Sequence, residues 1–112
     1  MPYYMFQVSY KAEQYKALTQ NPQDRSVQAS TVIEAHGGKM REFFFAFGDY
    51  DVVAISEFPD NESATAAALA VVSTGAFSKF KTTVLISADE AKRAMKRAGT
   101  VKSGYQAPAK TG

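Results

Sequence analysis

The chain has no cysteine, which excludes disulfide staples, thiol nucleophiles and zinc sites built on cysteine. It has a single histidine, so one chain alone offers no multi-histidine metal site. No apolar run approaches the roughly 18 to 20 residues needed to span a bilayer. The opening MPYYMFQVSY lacks the basic start and long apolar core of a signal peptide. These absences leave a soluble cytoplasmic protein as the expectation, with no membrane, metal or cofactor. They also leave no catalytic constellation that stands above background.

What is present is a chain of 112 residues, one domain long enough to bury a real core. Its charge is divided unevenly. Up to Ala91 there are seven Lys or Arg against eleven Asp or Glu, and from Lys92 onward there are six basic residues and no acid. The expected organisation is a single domain over 1–98 and a disordered basic tail over 99–112, which is rich in Gly, Ser, Pro and Lys.

The stretch that organises the rest is FFFAFGDYDVVAISEF, from Phe43 to Phe58. Aromatic and β-branched runs bounded by Gly and Asp predict strands over 43–47 and 52–58, joined by Gly48-Asp49-Tyr50-Asp51. With Phe47 opposite Val52, one face carries Phe43, Phe45, Phe47, Val52, Ala54, Ser56 and Phe58, and the other carries Phe44, Ala46, Val53 and Ile55. Both faces are apolar, whereas a sheet covered on one side alternates apolar with polar. Helices account for one cover. A second copy of the chain is the expected second cover, because exposed apolar patches beyond a few hundred Å² are rare on monomers. The alternative is the C-terminal segment folded back over the sheet.

Before this hairpin, Tyr3 to Tyr10 alternates cleanly, with Tyr4, Phe6 and Val8 facing inward. Lys11 to Gln20 reads as a short helical turn. Asn21-Pro22-Gln23-Asp24 predicts a helix start, and Gly37-Gly38 its stop, giving a helix from about Pro22 to His36. After the hairpin, Pro59-Asp60 caps an alanine-rich helix that stops at Gly75. Tight packing against the sheet is the expected use of its alanines, and a cavity wall is the alternative. Phe77 to Ser87 carries a last strand. Ser87 and Glu90 form a capping box opening a helix that ends near Ala98. The predicted class is α+β: a ferredoxin-like βαββαβ domain, with a four-stranded antiparallel sheet, helices on one face and an added C-terminal helix.

The candidate chemical residues each have a plain structural use beside the functional one. His36, Tyr50 and Asp51 are the candidate catalytic groups. A histidine in a last helical turn already interacts well with the free carbonyls there, and Asp49 and Asp51 are ordinary turn formers, whereas a turn has no need of the Tyr50 ring. Glu42 and Glu57 fall opposite one another in this register and suit solvation or basic neighbours better than shared-proton chemistry. Tyr4, Phe6, Tyr10, Phe45 and Tyr50 are the candidate ligand-binding residues, since an apolar space with a few hydroxyls suits a small apolar or aromatic molecule. The basic residues Lys92, Arg93, Lys96, Arg97, Lys102 and Lys110 come with no recognition motif or aromatic platform, so nucleic acid is not an expected partner.

The segment Phe47-Gly48-Asp49-Tyr50-Asp51-Val52-Val53-Ala54, with Gly37-Gly38-Lys39 before it and Pro59-Asp60 leading into an alanine-rich helix, resembles the GYD domain family. The resemblance covers about residues 3 to 90, and Asp49 stands where the family's name places Gly directly before Tyr. It implies a ferredoxin-like fold related to dimeric α/β-barrel proteins, whose sheets pack face to face. It implies no single function. Related families include cofactor-independent monooxygenases, haem enzymes and ligand-sensing regulators. The expectation is therefore a homo-oligomer that binds a small apolar or aromatic molecule. The alternatives are a cofactor-independent oxygenase or isomerase and a pure assembly module.

Overall fold

A computed structural model describes residues 1–109. The clean alternation of the first strand, β1 (Tyr3–Tyr10), buries Tyr4, Phe6 and Val8. The chain continues through α1 (Ala12–Gln20), α2 (Ser26–Ala35), β2 (Lys39–Phe45), β3 (Val52–Glu57), α3 (Asn61–Val72), β4 (Phe77–Leu85) and α4 (Ala88–Thr100). The four strands form one antiparallel sheet in the order β2-β3-β1-β4. This is the ferredoxin-like arrangement, with a short extra helix before α2 and the expected helix at the C-terminal end.

Tyr4, Phe6, Ala54 and Phe58 form the core with Ile33 of α2 and with Ala64, Ala67 and Ala68 of α3. The Phe58 ring anchors it, edge-on to Tyr4 at 5.8 Å and to Phe6 at 5.9 Å, a favoured geometry for ring quadrupoles. The Tyr4 hydroxyl donates to Asn61 Oδ1 at 2.6 Å, so this buried phenol keeps its hydrogen bond. Ser56 is fully buried in the same face, and its Oγ has no partner among the described residues.

Helix ends follow the local chemistry. Asp60 accepts from the Ser63 N–H at 2.8 Å and starts α3. Ser87 accepts from the Glu90 N–H at 3.1 Å and starts α4. At the end of α2, Gly37 adopts φ 80°. The Gly37 N–H then reaches Glu34 O at 3.0 Å and the Gly38 N–H reaches Ile33 O at 2.9 Å, the paired bonds of a Schellman motif. Gly38 is required for space, since a Cβ there would lie 2.5 Å from Phe58 Cε1.

Four expectations need correction. First, α2 starts at Ser26 rather than Pro22, because the Asp24 carboxylate binds Ser26 N at 2.9 Å and Ser26 Oγ at 2.5 Å. That local turn competes with an earlier helical start. Second, Phe45 rather than Phe47 lies opposite Val52. The slip is two residues, so the assignment of side chains to faces survives it. A bulge between Met40 and Glu42 then pairs Glu42 with Ile55 and Lys39 with Glu57, so the two acids do not meet. Arg41, the extra residue, pairs with Glu57 instead. Third, β2 ends at Phe45 rather than Phe47, and Phe47, at φ 51°, is the left-handed residue of the hairpin connection. Phe47 stacks on Phe45 at 5.7 Å. Fourth, β4 stops at Leu85, short of the expected Ser87, and α4 continues to Thr100 before a segment over 101–109 without helix or strand. Of the expected basic tail, Lys110 lies outside the described residues.

The second sheet face carries Met5, Phe44, Val53, Ile55 and Leu85 by the strand registers. Phe44 is 58% exposed. α4 buries no residue, so the C-terminal helix does not cover this face. No helix among the described residues is long and apolar enough to cross a membrane.

Candidate functional site

Small side chains on α3 bring its backbone near the sheet at one end and leave space at the other. Ala64 is packed into the core, while Ala67, Ala68, Ala70 and Val71 line a cavity of about 350 Å³. The alanine helix is therefore a cavity wall over its second half, beyond the tight packing expected of it. The sheet supplies the floor through Phe6, Val8, Val52 and Ala54, with Phe43 and Phe80 toward its edges. α1 and α2 close the remaining sides through Leu18, Ala29, Val32 and Ile33.

Polar groups gather on one rim. Gln14 of α1, Gln23 and Arg25 of the α1–α2 connection, and Gln28 in the first turn of α2 line the opening, where all four keep contact with solvent. Arg25 is the only charged side chain in the lining. Its guanidinium donates to Gln23 Oε1 at 2.8 Å. The neighbouring carboxylate, Asp24, is taken by Ser26, whose hydroxyl and N–H hold it below the usual carboxylate range. Beyond α1, a shallow hollow runs past Tyr15 and Leu18 to the stacked rings of Phe45 and Phe47.

The five expected ligand-binding residues are not brought together. Phe6 and Tyr10 line the cavity, Phe45 borders the hollow beside it, and Tyr4 and Tyr50 line neither. Tyr4 lies in the core, where burial first, and then the Asp60 charge, raise its phenol above the ordinary range. Tyr10 stacks on Phe77 at 4.9 Å and meets Tyr15 edge-on at 5.5 Å.

The candidate catalytic residues lie apart from the cavity and have structural partners. His36 caps α2, and its Nδ1 is 2.8 Å from Val32 O. Tyr50 lies beneath the Lys79 ammonium, 5.0 Å from the ring centroid, within the range of a cation–π contact. Lys79 also donates to the Asp49 carbonyl. Asp51 accepts a hydrogen bond from the Tyr15 hydroxyl, and its N–H reaches Val8 O at 2.9 Å. The Gly-Asp-Tyr-Asp connection is thus tied to β1, β4 and α1. Among the described residues no group of three His, Cys, Asp or Glu is placed to hold a metal ion.

Tyr15 and the Arg25–glutamine rim were not singled out from the sequence. Tyr15 falls in the stretch read only as a short helical turn, although a tyrosine there with Asp51 in the turn offered a donor and an acceptor. Arg25 follows the Asn21-Pro22-Gln23-Asp24 helix start and carried no reading of its own. Its spacing of three from Gln28 places both on one side of the first turn of α2, which was the available signal.

No curated protein matches the chain. Residues 4–95 match the family model described as GYD domain, and this chain of 112 residues belongs to the GYD domain family.

Proposed function

We propose that the protein is a homo-oligomer that binds a small, largely apolar molecule in the cavity between its sheet and its helices. The observation that carries this reading is the cavity itself. Its volume of about 350 Å³ falls in the range of small-molecule sites, about 300 to 1,000 Å³. Its walls are mostly aliphatic and aromatic, with a few polar groups, Arg25 and three glutamines foremost, among them, which is how such sites combine affinity with orientation. Tyr50, Asp51 and His36 do not line the cavity, so the reading assigns them no part in it.

Titration with the neutral fluorophore N-phenyl-1-naphthylamine tests the site. Saturable enhancement is expected for the wild-type chain. Val71→Phe places a ring in the same space and is expected to weaken binding at least ~10-fold, given that burying apolar area contributes about 25 cal/mol per Å². No enhancement in the wild type, or equal enhancement in a folded Val71→Phe variant, would overturn the reading.

The oligomer rests on the second sheet face. Met5, Phe44, Val53, Ile55 and Leu85 supply its apolar positions, interrupted by Gln7, Glu42 and Lys81, with the Arg41–Glu57 ion pair at one end. A matching surface on a second copy covers it without new chemistry, because a two-fold contact needs only self-complementarity.

A further inference from the structure

The ligand's chemical class follows from a mismatch at the rim. The cavity is largely apolar, yet the one charge in its lining is a cation. Arginine carries five N–H donors in a planar fork, and the only hydrogen bond from the Arg25 guanidinium among the described residues goes to Gln23. Among the described residues no carboxylate pairs with it. Asp24 is held by Ser26, and the ion pair found among the described residues is Arg41–Glu57, on the other sheet face. Gln14, Gln23 and Gln28 surround the same opening with neutral amides. These supply further donors and add no charge that would compete with an anion.

We infer that the cavity takes an apolar acid of one or two rings, whose body lies among Phe6, Val8 and Val71 and whose carboxylate is met at the rim by the Arg25 guanidinium. This rests on the binding role of the cavity given above. Planar two-point pairing is the geometry in which guanidinium recognises carboxylate, and the apolar walls confine such an anion to the rim, where it stays solvated on one side. A cationic ligand of the same shape would meet Arg25 as a like charge.

The test compares 2-naphthoic acid with its neutral isostere 2-naphthamide and with the cation 2-naphthylmethylamine at pH 7, by calorimetry on the full chain. For the wild type the acid is expected to bind roughly 10-fold tighter than the amide, the scale of a hydrogen bond to a charged group over a neutral one, with the amine weakest. Arg25→Gln should remove the preference for the acid over the amide. Gln28→Glu sets a carboxylate one helical turn from Arg25 and should weaken the acid more than the amide, which keeps the question decidable if Arg25→Gln fails to fold.

Equal affinity for acid and amide, tighter binding of the amine, or a preference that persists in Arg25→Gln would each overturn the inference while leaving the cavity as a binding site. Absence of binding by all three probes would overturn both.

Discussion

At the scale of single residues, the fold contains both an unmet need and a tight fit. Ser56 has a fully buried hydroxyl without a partner among the described residues, and a buried polar group left unpaired costs about 1–3 kcal/mol. Ser56→Ala is therefore expected to raise stability by about 1 kcal/mol, read as a higher urea midpoint at unchanged slope. A loss of stability would mean that the hydroxyl is satisfied in solution. Gly38 is the converse. A Cβ there meets the Phe58 ring and the Glu57 carbonyl at 2.5 to 2.7 Å, so Gly38→Ala should cost about 1–3 kcal/mol through overpacking. A midpoint matching wild type would contradict that fit.

Tyr15 makes a prediction about alkaline pH. Burial, and then the hydrogen bond to Asp51, push its phenol from 10.0 up to about 12. Between those values the unfolded chain releases the proton and the folded chain keeps it. Unfolding therefore releases a proton, and stability falls as pH rises through this window. Tyr15→Phe should be less stable than wild type at neutral pH and lose less stability from pH 10 to 12, as followed by urea melts across that range. Parallel pH profiles would place the Tyr15–Asp51 bond outside the native state in solution. The lowered Asp60 carboxyl, held by the Ser63 N–H, acts at the other end, where its capping contribution is lost as pH falls below about 3.8.

At the scale of elements, strand identity and facing were legible because both depend on local alternation. Tyr4, Phe6 and Val8 declare an inner side whatever their partners, and a two-residue slip of the hairpin preserves the parity of Phe43 and Phe45. Exact pairing was not legible. The bulge at Arg41 depends on what Glu57 offers across the sheet, and a short window cannot contain that. The start of α2 was misplaced for a local reason. Asn21-Pro22 is a good helix opening, but the Asp24–Ser26 turn competes with it. The cavity was half legible. Alanines on α3 allow either contact or space, and the choice is made by how α1 and α2 close around them. α4 extends from the domain without burying a residue. Truncation before Ala88 is accordingly expected to change the unfolding free energy of the monomer, from urea melts, by no more than about 0.5 kcal/mol, and a larger loss would show that α4 packs on the domain.

At the scale of the whole molecule, two apolar regions lie on opposite sides of one sheet, and the account gives them different tasks. In the proposed reading the helix side holds a ligand in its cavity, and the open side, with Phe44 and Ile55, meets another copy. Ile55→Glu puts a charge in the middle of that open side. It is expected to weaken association on the order of 100-fold or more, since an unpaired charge buried in an interface costs several kcal/mol. Sedimentation velocity should then report monomer where the wild type reports an assembly, while N-phenyl-1-naphthylamine binding persists. A wild-type chain that sediments as a monomer would leave the open face without the cover proposed for it.

The central claim is that the cavity, and not the open sheet face, receives the small molecule. Methyl NMR separates the two directly, because valine and isoleucine probes stand on both sides: Val8, Val52, Ile33 and Val71 line the cavity, and Val53 and Ile55 lie on the opposite face. On titration with 2-naphthoic acid, the account predicts saturable shifts at the first four and none at the last two. Shifts confined to Val53 and Ile55, or no saturable shift at any of the six, would contradict it.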